Sequence, residues 1–178
     1  MNEYDRNIPY IIREDNNKYI KKIDFNDKYI SYLLINNRVI IDTNCFVHNL
    51  SIIKQIIKIN KIDIVIPLVV IKELKGLLRK KGRKKEAHEA LQLINSLIYK
   101  ENVMFQKKNG VYCIDCKKYE EGIIFNEVVK NLDDIIIDLC KINKEVLSGK
   151  SKLFLLTSDL ILKIKAESNE IHVINIDF

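Results

Sequence analysis

The chain has 178 residues, 47% hydrophobic and 30% charged, which suits one well-covered core and excludes a disordered or fibrous chain. No uninterrupted apolar run approaches the ~18 residues of a membrane-crossing helix, and Met1-Asn2-Glu3-Tyr4-Asp5 lacks the basic start and apolar run of a secretory leader, so an intracellular protein with reduced cysteines is expected, in cytoplasm or nucleus. The net charge is +6, and Arg79, Lys80, Lys81, Arg83, Lys84 and Lys85 alone supply as many positive charges, so the basic excess is one local patch.

Residues 1–36 alternate charged and aromatic positions without clean periodicity and are expected to be an extension packed on a main domain of residues 37–178. Arg38-Val39-Ile40-Ile41 has the β-branched content of a buried parallel strand. It stops at Asp42-Thr43-Asn44, and a helical pattern follows through Phe46, Leu50, Ile53, Ile56 and Ile57. Residues 62–66 read as a second strand. Pro67 suits the first turn of the next helix, where its missing N–H costs nothing, and that helix carries Val70, Leu74, Leu77 and Leu78. Another helix is expected over 85–99. Residues 103–106 and 111–114 flank Asn109-Gly110, a hairpin signal. One helical stretch reaches Asn131, and Asp133 opens another with Ile136, Ile137, Cys140 and Ile142 on its apolar side. Residues 153–157 form a strand, 159–167 a short helix and 171–176 a last strand. Strands alternating with helices predict a three-layer α/β/α fold around a mostly parallel sheet.

In such a sheet ligands bind beyond the carboxyl ends of the strands. Asp42 and Asp159 both fall at that edge, and each could equally be a helix N-cap. Glu73 sits on an apolar helical stripe, three positions after Val70, four after Val69 and four before Leu77, so it either reaches solvent at the stripe's edge or meets a partner. Asp133 and Asp134 suit a helix's first turn, and Asp138, one turn on, is expected to face water. Carboxylates gathered at one edge repel and raise one another's pKa, and a divalent cation relieves that. Oxygen ligands suit Mg²⁺ or Mn²⁺, which can activate water for phosphoryl displacement. Thr43 and Asn44 are expected to fix the turn beside Asp42, and Thr157 and Ser158 to do the same beside Asp159.

Val39-Ile40-Ile41-Asp42-Thr43-Asn44 followed by an apolar helix resembles the opening motif of PIN-domain nucleases. Ile64-Val65-Ile66-Pro67-Leu68-Val69-Val70-Ile71-Lys72-Glu73-Leu74 resembles their second motif, Asn131-Leu132-Asp133-Asp134-Ile135-Ile136-Ile137 the third and Thr157-Ser158-Asp159 the fourth. Within the family, residues 67–74 and 131–137 look most like the eukaryotic branch that includes the endonuclease of nonsense-mediated mRNA decay and a nuclear mRNA quality-control endonuclease. The resemblance implies metal-dependent endonucleolytic cleavage of single-stranded RNA, with catalytic and metal-binding roles for Asp42, Glu73, Asp133 and Asp159 and an auxiliary role for Asp134. It also implies protein partners in an RNA quality-control complex. Lys75 and Ser158 depart from the branch, which often has acids there, and Leu160 and Ile161 replace polar residues. A catalytically weak PIN domain that binds RNA or acts as a scaffold is therefore the alternative.

The basic run 79–85 either tracks RNA phosphates or is a solvated loop, and it also suits nuclear import. Cys113 and Cys116 form half of a zinc site with no second pair nearby, so structural zinc is not expected. His48, His88 and His172 share no ligand spacing. A phosphoacceptor signalling domain also gathers acids at strand ends, but neither its acceptor aspartate nor its late lysine is evident. A toxin ribonuclease of the same family would differ by a tight inhibitory partner.

Overall fold

Short runs of Val, Ile and Leu make the centre of the sheet, because side chains that are stiff at Cβ pack well on a pleat buried on both faces. A computed structural model describes residues 33–113 and 131–176. Strands β1 (Arg38–Ile41), β2 (Asp63–Pro67), β3 (Val103–Gln106), β4 (Tyr112–Cys113), β5 (Leu153–Thr157) and β6 (His172–Asn175) form one sheet in the order β4-β3-β2-β1-β5-β6. Five strands run parallel, and β4 closes one edge as the antiparallel half of a hairpin with β3. Gly110 turns that hairpin at φ +84, and an added Cβ would meet Ile142 Cγ2 at 3.0 Å, so both conformation and space require glycine.

Alternation along the strands divides the core into two layers. Val39 and Ile41, Ile64 and Ile66, and Phe154 and Leu156 point to one face. Ile40, Val65, Leu153 and Leu155 point to the other. Helices α1 (Thr43–His48), α2 (Leu50–Ile57), α3 (Leu68–Leu77) and α4 (Lys84–Ser96) cover the first face with Phe46, Ile53, Leu74, Ala90 and Ile94. Helices α5 (Leu132–Leu147) and α6 (Leu160–Ser168) cover the second with Ile136, Leu139, Leu162 and Ala166. The expected three-layer architecture is present.

The helix expected over 85–99 ends at Ser96, and two further differences from expectation have a clear local cause. The helical pattern after Asp42 is two helices, because the chain bends at Asn49 (φ −124, ψ 31), whose N–H closes α1 on the Cys45 carbonyl and whose carbonyl opens α2. Pro67 ends β2 and caps α3 rather than entering its first turn, with φ −62 and ψ 137; its fixed φ suits either position. Of the expected extension 1–36, only residues 33–36 are described, and Leu34 there is fully buried in the core. The helical stretch expected to reach Asn131 lies outside the described residues up to residue 130. No helix among the described residues is long and apolar enough to cross a membrane.

The sheet order reverses direction at β1. The chain leaves β1 for β2 on one side and later fills the other side with β5. Such a switch point opens a crevice at the carboxyl ends of the strands. Asp42 is the residue that follows β1, and Asp159 lies two residues beyond β5.

Candidate active site

Asp42 is placed by the sheet before it is placed by a helix. Its N–H donates to the Leu156 carbonyl at 3.0 Å, fixing the end of β1 against β5. Its side chain is 5% exposed. Oδ1 accepts the Thr43 N–H at 2.6 Å and Oδ2 accepts the Thr157 hydroxyl at 3.0 Å. Asp42 caps α1 through the Thr43 and Asn44 amides, and the Thr157 hydroxyl adds a bond from the neighbouring strand that capping does not require. Burial pushes its carboxyl up from 3.8 to about 6; the Glu73 charge adds to the rise, and the bonds from Thr157, Thr43 and Asn44 oppose it. Among the described residues no cation acts on it.

Glu73 comes from the middle of α3 and is only partly buried. Its Oε2 accepts the Thr43 hydroxyl at 2.6 Å, a length typical of an O–H donating to a charged oxygen. Thr43 therefore bonds both acids, Asp42 through its amide and Glu73 through its hydroxyl. Asp159 is a cap as well: Oδ1 accepts the Ile161 and Leu162 amides of α6 at 2.8 and 3.0 Å. Its other oxygen accepts the Asn44 amide at 3.3 Å. Thr157, fully buried, couples the two strand ends by donating to Asp42 while accepting the Asp159 N–H at 3.0 Å. Asp42, Glu73 and Asp159 thus belong to one hydrogen-bonded chain built by Thr43, Asn44 and Thr157.

Asp133 and Asp134 open α5, which Asn131 caps by accepting the Asp133 N–H at 3.4 Å. Their carboxylates bind a lysine. Lys165 Nζ, from α6, donates to Asp133 Oδ2 and Asp134 Oδ1 at 3.1 Å each. These two bonds raise the Lys165 pKa above its ordinary value, with Asp134 the larger contributor.

The basic run spans the connection after α3 and the first turn of α4, with Arg79, Lys80, Lys81, Lys84 and Lys85 exposed. Arg83 is anchored: its Nη1 lies 3.0 and 3.1 Å from the two ring nitrogens of His48, the last residue of α1. Burial and the Arg83 charge lower the His48 pKa.

Residues 39–177 match the family model described as PIN domain. The chain belongs to the PIN domain family. Among solved structures it is similar to a domain of a functionally unknown protein from Methanocaldococcus jannaschii DSM 2661, with 21% identity and a TM-score of 0.50, covering 80% of this chain and 92% of that one. It is also similar to the PIN domain of human SMG5, with 17% identity and a TM-score of 0.47 over 78% of this chain and 91% of that one. No curated protein matches the sequence.

In this PIN domain three of the four expected acids share one bonded chain and the fourth does not. Asp133, expected in the same cluster, has its carboxylate bonded to Lys165. Among the described residues no three His, Cys, Asp or Glu side chains stand close enough together to hold one ion. The donor chemistry nonetheless fits a hard cation: Asp42 is buried, has a carboxylate neighbour and has no positive partner among the described residues, and Asp42, Glu73 and Asp159 offer only oxygens. Thr43 and Asn44 act as ties to Glu73 and Asp159 more than as a local turn lock. Thr157 orients Asp159 as expected, whereas Ser158 turns its backbone N–H to the buried Cys45 thiol. Cys45 and Cys140 are free and buried, and burial pushes both thiols up. Cys116 lies outside the described residues.

Sequence reasoning missed Lys165 and the His48–Arg83 contact. Lys165 lies three positions after Leu162 and next to Ala166, both buried. That places it at the margin of the buried stripe of α6, where a long side chain reaches a neighbouring helix. Which neighbour it meets depends on helix pairing, which periodicity does not reveal.

Proposed function

We propose that this PIN domain is a divalent-metal-dependent endoribonuclease that cuts single-stranded RNA, with Asp42, Glu73 and Asp159 holding Mg²⁺ or Mn²⁺ and Asp133 and Asp134 at the border of the site. The observation that carries the reading is Asp42: a buried carboxylate at the switch point of the sheet, beside Glu73, with no positive partner among the described residues. Burying such a charge uncompensated is costly, and a bound dication removes the cost. When bound, the ion supplies a water of lowered pKa and positive charge for the scissile phosphate.

The chain's own groups set the geometry. Thr157 and the Thr43 amide hold Asp42 by one oxygen each, so the carboxylate cannot rotate away from the edge. Thr43 holds Glu73 and Asn44 holds Asp159, each through a single carboxylate oxygen. Among the described residues the edge offers no activated nucleophile of its own: the Thr43 and Thr157 hydroxyls donate to carboxylates, and the Cys45 thiol is buried with a raised pKa. Water is accordingly the attacking group. The exposed lysines and arginine of 79–85 supply sequence-independent attraction for RNA phosphates. On residues 67–74 and 131–137 we place the chain with the eukaryotic branch of the family, in cytoplasm or nucleus.

The test is a Mn²⁺-titrated cleavage assay on an unstructured RNA with wild type and Asp42→Asn side by side. The wild type is expected to cut in proportion to bound metal and to stop in chelator. Asp42→Asn, equal in volume and one charge poorer, is expected not to cut. Equal rates for the two proteins sink the assignment.

A second reading has specific support. Lys165 occupies Asp133 and Asp134, and Leu160 and Ile161, directly after Asp159, are 65% and 63% exposed. A weakly active PIN domain that binds RNA and meets protein partners of an RNA quality-control complex through that apolar turn fits both facts. Salt-dependent RNA binding without cleavage at any metal concentration favours it.

A further inference from the structure

One cation of the basic run is held and the others are not. Among the described residues the side chains of Arg79, Lys80, Lys81, Lys84 and Lys85 are exposed and make no bond, so each keeps its rotamer freedom. Arg83 is placed differently. Gly82, at φ +90, turns the chain just before it. Ala87, four residues on and on the same face of α4, is fully buried where α4 packs on α1. Arg83 therefore starts on the side of α4 that meets α1, and its Nη1 lies 3.0 and 3.1 Å from the two ring nitrogens of His48. We propose that His48 is a positioning residue that holds the Arg83 guanidinium as a fixed fork for one RNA phosphate, with the unheld cations of the run supplying mobile attraction around it. This rests on the RNA-binding reading of residues 79–85 and is independent of the metal site.

The guanidinium is engaged from one end only. Nη1 meets His48, while Nε and Nη2 make no bond among the described residues. Those two form the side-on pair of donors that matches two oxygens of a phosphate. A neutral imidazole suits the holding role, because one ring nitrogen accepts and the ring adds no charge to oppose the guanidinium. Burial and the Arg83 charge lower the His48 pKa against the pull of Glu86, so the ring is neutral above pH 6.5. Glu86 and Arg83, both at the start of the 84–96 helix, are the charged groups acting on His48 among the described residues. Ordering a long side chain costs affinity when a ligand must do it, and here the protein orders the side chain before RNA arrives. Arg83 thus fixes where a strand lies, whereas the lysines fix only that it stays near.

The experiment measures anisotropy of a labelled, unstructured single-stranded RNA on the full chain in chelator, at about pH 7.5, where the ring is neutral, across a salt series. Arg83→Ala is expected to bind about tenfold more weakly and to lose about 0.7 from the slope of log affinity against log salt. His48→Ala, which frees the guanidinium but keeps its charge, is expected to bind about threefold more weakly with the slope unchanged. His48→Gln retains a neutral acceptor and is expected to restore wild-type affinity. The double variant His48→Ala, Arg83→Ala is expected to bind as Arg83→Ala alone, because His48 acts only through the arginine. Equal weakening by His48→Ala with and without Arg83 overturns the positioning role, as does wild-type affinity in His48→Ala. An unchanged slope in Arg83→Ala, with a reduced slope when Lys80, Lys81 and Lys84 are replaced by Ala, overturns the fork and leaves the RNA-binding reading standing. Unchanged slopes in both overturn that reading, and the proposal with it.

Discussion

Asp42 concentrates the electrostatic tension of the molecule in one side chain. In the metal-free protein its carboxyl titrates at about 6 against an ordinary 3.8, because burial and Glu73 disfavour the charged form. A raised folded-state value means that the folded protein holds this proton more tightly than the unfolded chain does. The stability it contributes is complete below pH 3.8 and is lost as pH rises through about 6. The shift corresponds to about 3 kcal/mol, at about 1.36 kcal/mol per pH unit. Asp42→Asn lacks the titration. Urea unfolding in chelator is therefore expected to show the wild type losing ground to Asp42→Asn between pH 4 and 7, by up to about 3 kcal/mol. Adding Mn²⁺ at pH 7 should recover stability in the wild type alone. Parallel pH profiles for the two proteins contradict the assignment of the shift to Asp42.

Thr157 carries a related prediction, since its hydroxyl donates to Asp42 Oδ2 and lowers that pKa. Thr157→Val keeps the shape and removes the donor. The proton then leaves Asp42 only at higher pH, so the acid limb of the cleavage profile moves up and cleavage near pH 6.5 falls about tenfold, the worth of one hydrogen bond to a charged group. Thr157→Ser retains the donor and is expected to restore the limb. An unmoved limb in Thr157→Val means that the bond does not set the ionisation of Asp42.

At the scale of elements, α5 is held on the sheet by a polar hub as well as by its apolar stripe. Asn143 is fully buried. It accepts the Arg38 guanidinium and the Tyr112 hydroxyl at 3.0 Å each and donates to Gln106 Oε1 at 2.7 Å and to the Leu139 carbonyl at 2.8 Å. One side chain thus joins β1, β3, β4 and α5. Asn143→Ala leaves the buried Gln106 oxygen unpaired and takes the shared acceptor from Arg38 and Tyr112, and is expected to cost about 2–4 kcal/mol in urea unfolding. A loss under about 0.5 kcal/mol would show that the hub is not structural. Nothing in a single sequence marks Asn143, because its partners lie up to 105 positions away. What the sequence does make legible is local. β5 is found at its expected limits, since five successive buried positions with turn residues on either side admit little else, and the Asn109-Gly110 hairpin follows from Gly110 alone. The break at Asn49 was hidden because Phe46, Ile53 and Ile57 keep helical spacing across it. Site residues follow the same division. Asp42 and Asp159 could be placed at the strand ends by position, whereas the Lys165 pairing with Asp133 depends on how α5 and α6 meet.

Over the whole molecule, negative charge collects at the carboxyl edge of the sheet while the positive excess sits in one run beside it. The run is tethered near that edge: Arg83 meets His48 at the end of α1, and α1 starts directly after Asp42. Six residues of helix span roughly 9 Å, so a strand lying on the lysines passes within reach of the acids. An acidic edge alone repels RNA, and the adjacent cations are what allow a phosphate chain to approach it. If Lys80, Lys81 and Lys84 each neutralise one phosphate, their joint replacement by Ala removes about two units from the slope of log affinity against log salt on single-stranded RNA. All three are exposed, so the melting temperature should stay unchanged. Cleavage at low RNA concentration should fall with affinity, while the rate at saturation holds, because the replaced groups bind the strand without touching the acids. Arg83 is left in place because removing it also releases His48. Filter binding from 50 to 300 mM salt measures the slope. An unchanged slope places the RNA on another surface, and a fall in the saturated rate at constant slope places the lysines in the chemistry instead of the path that leads to it.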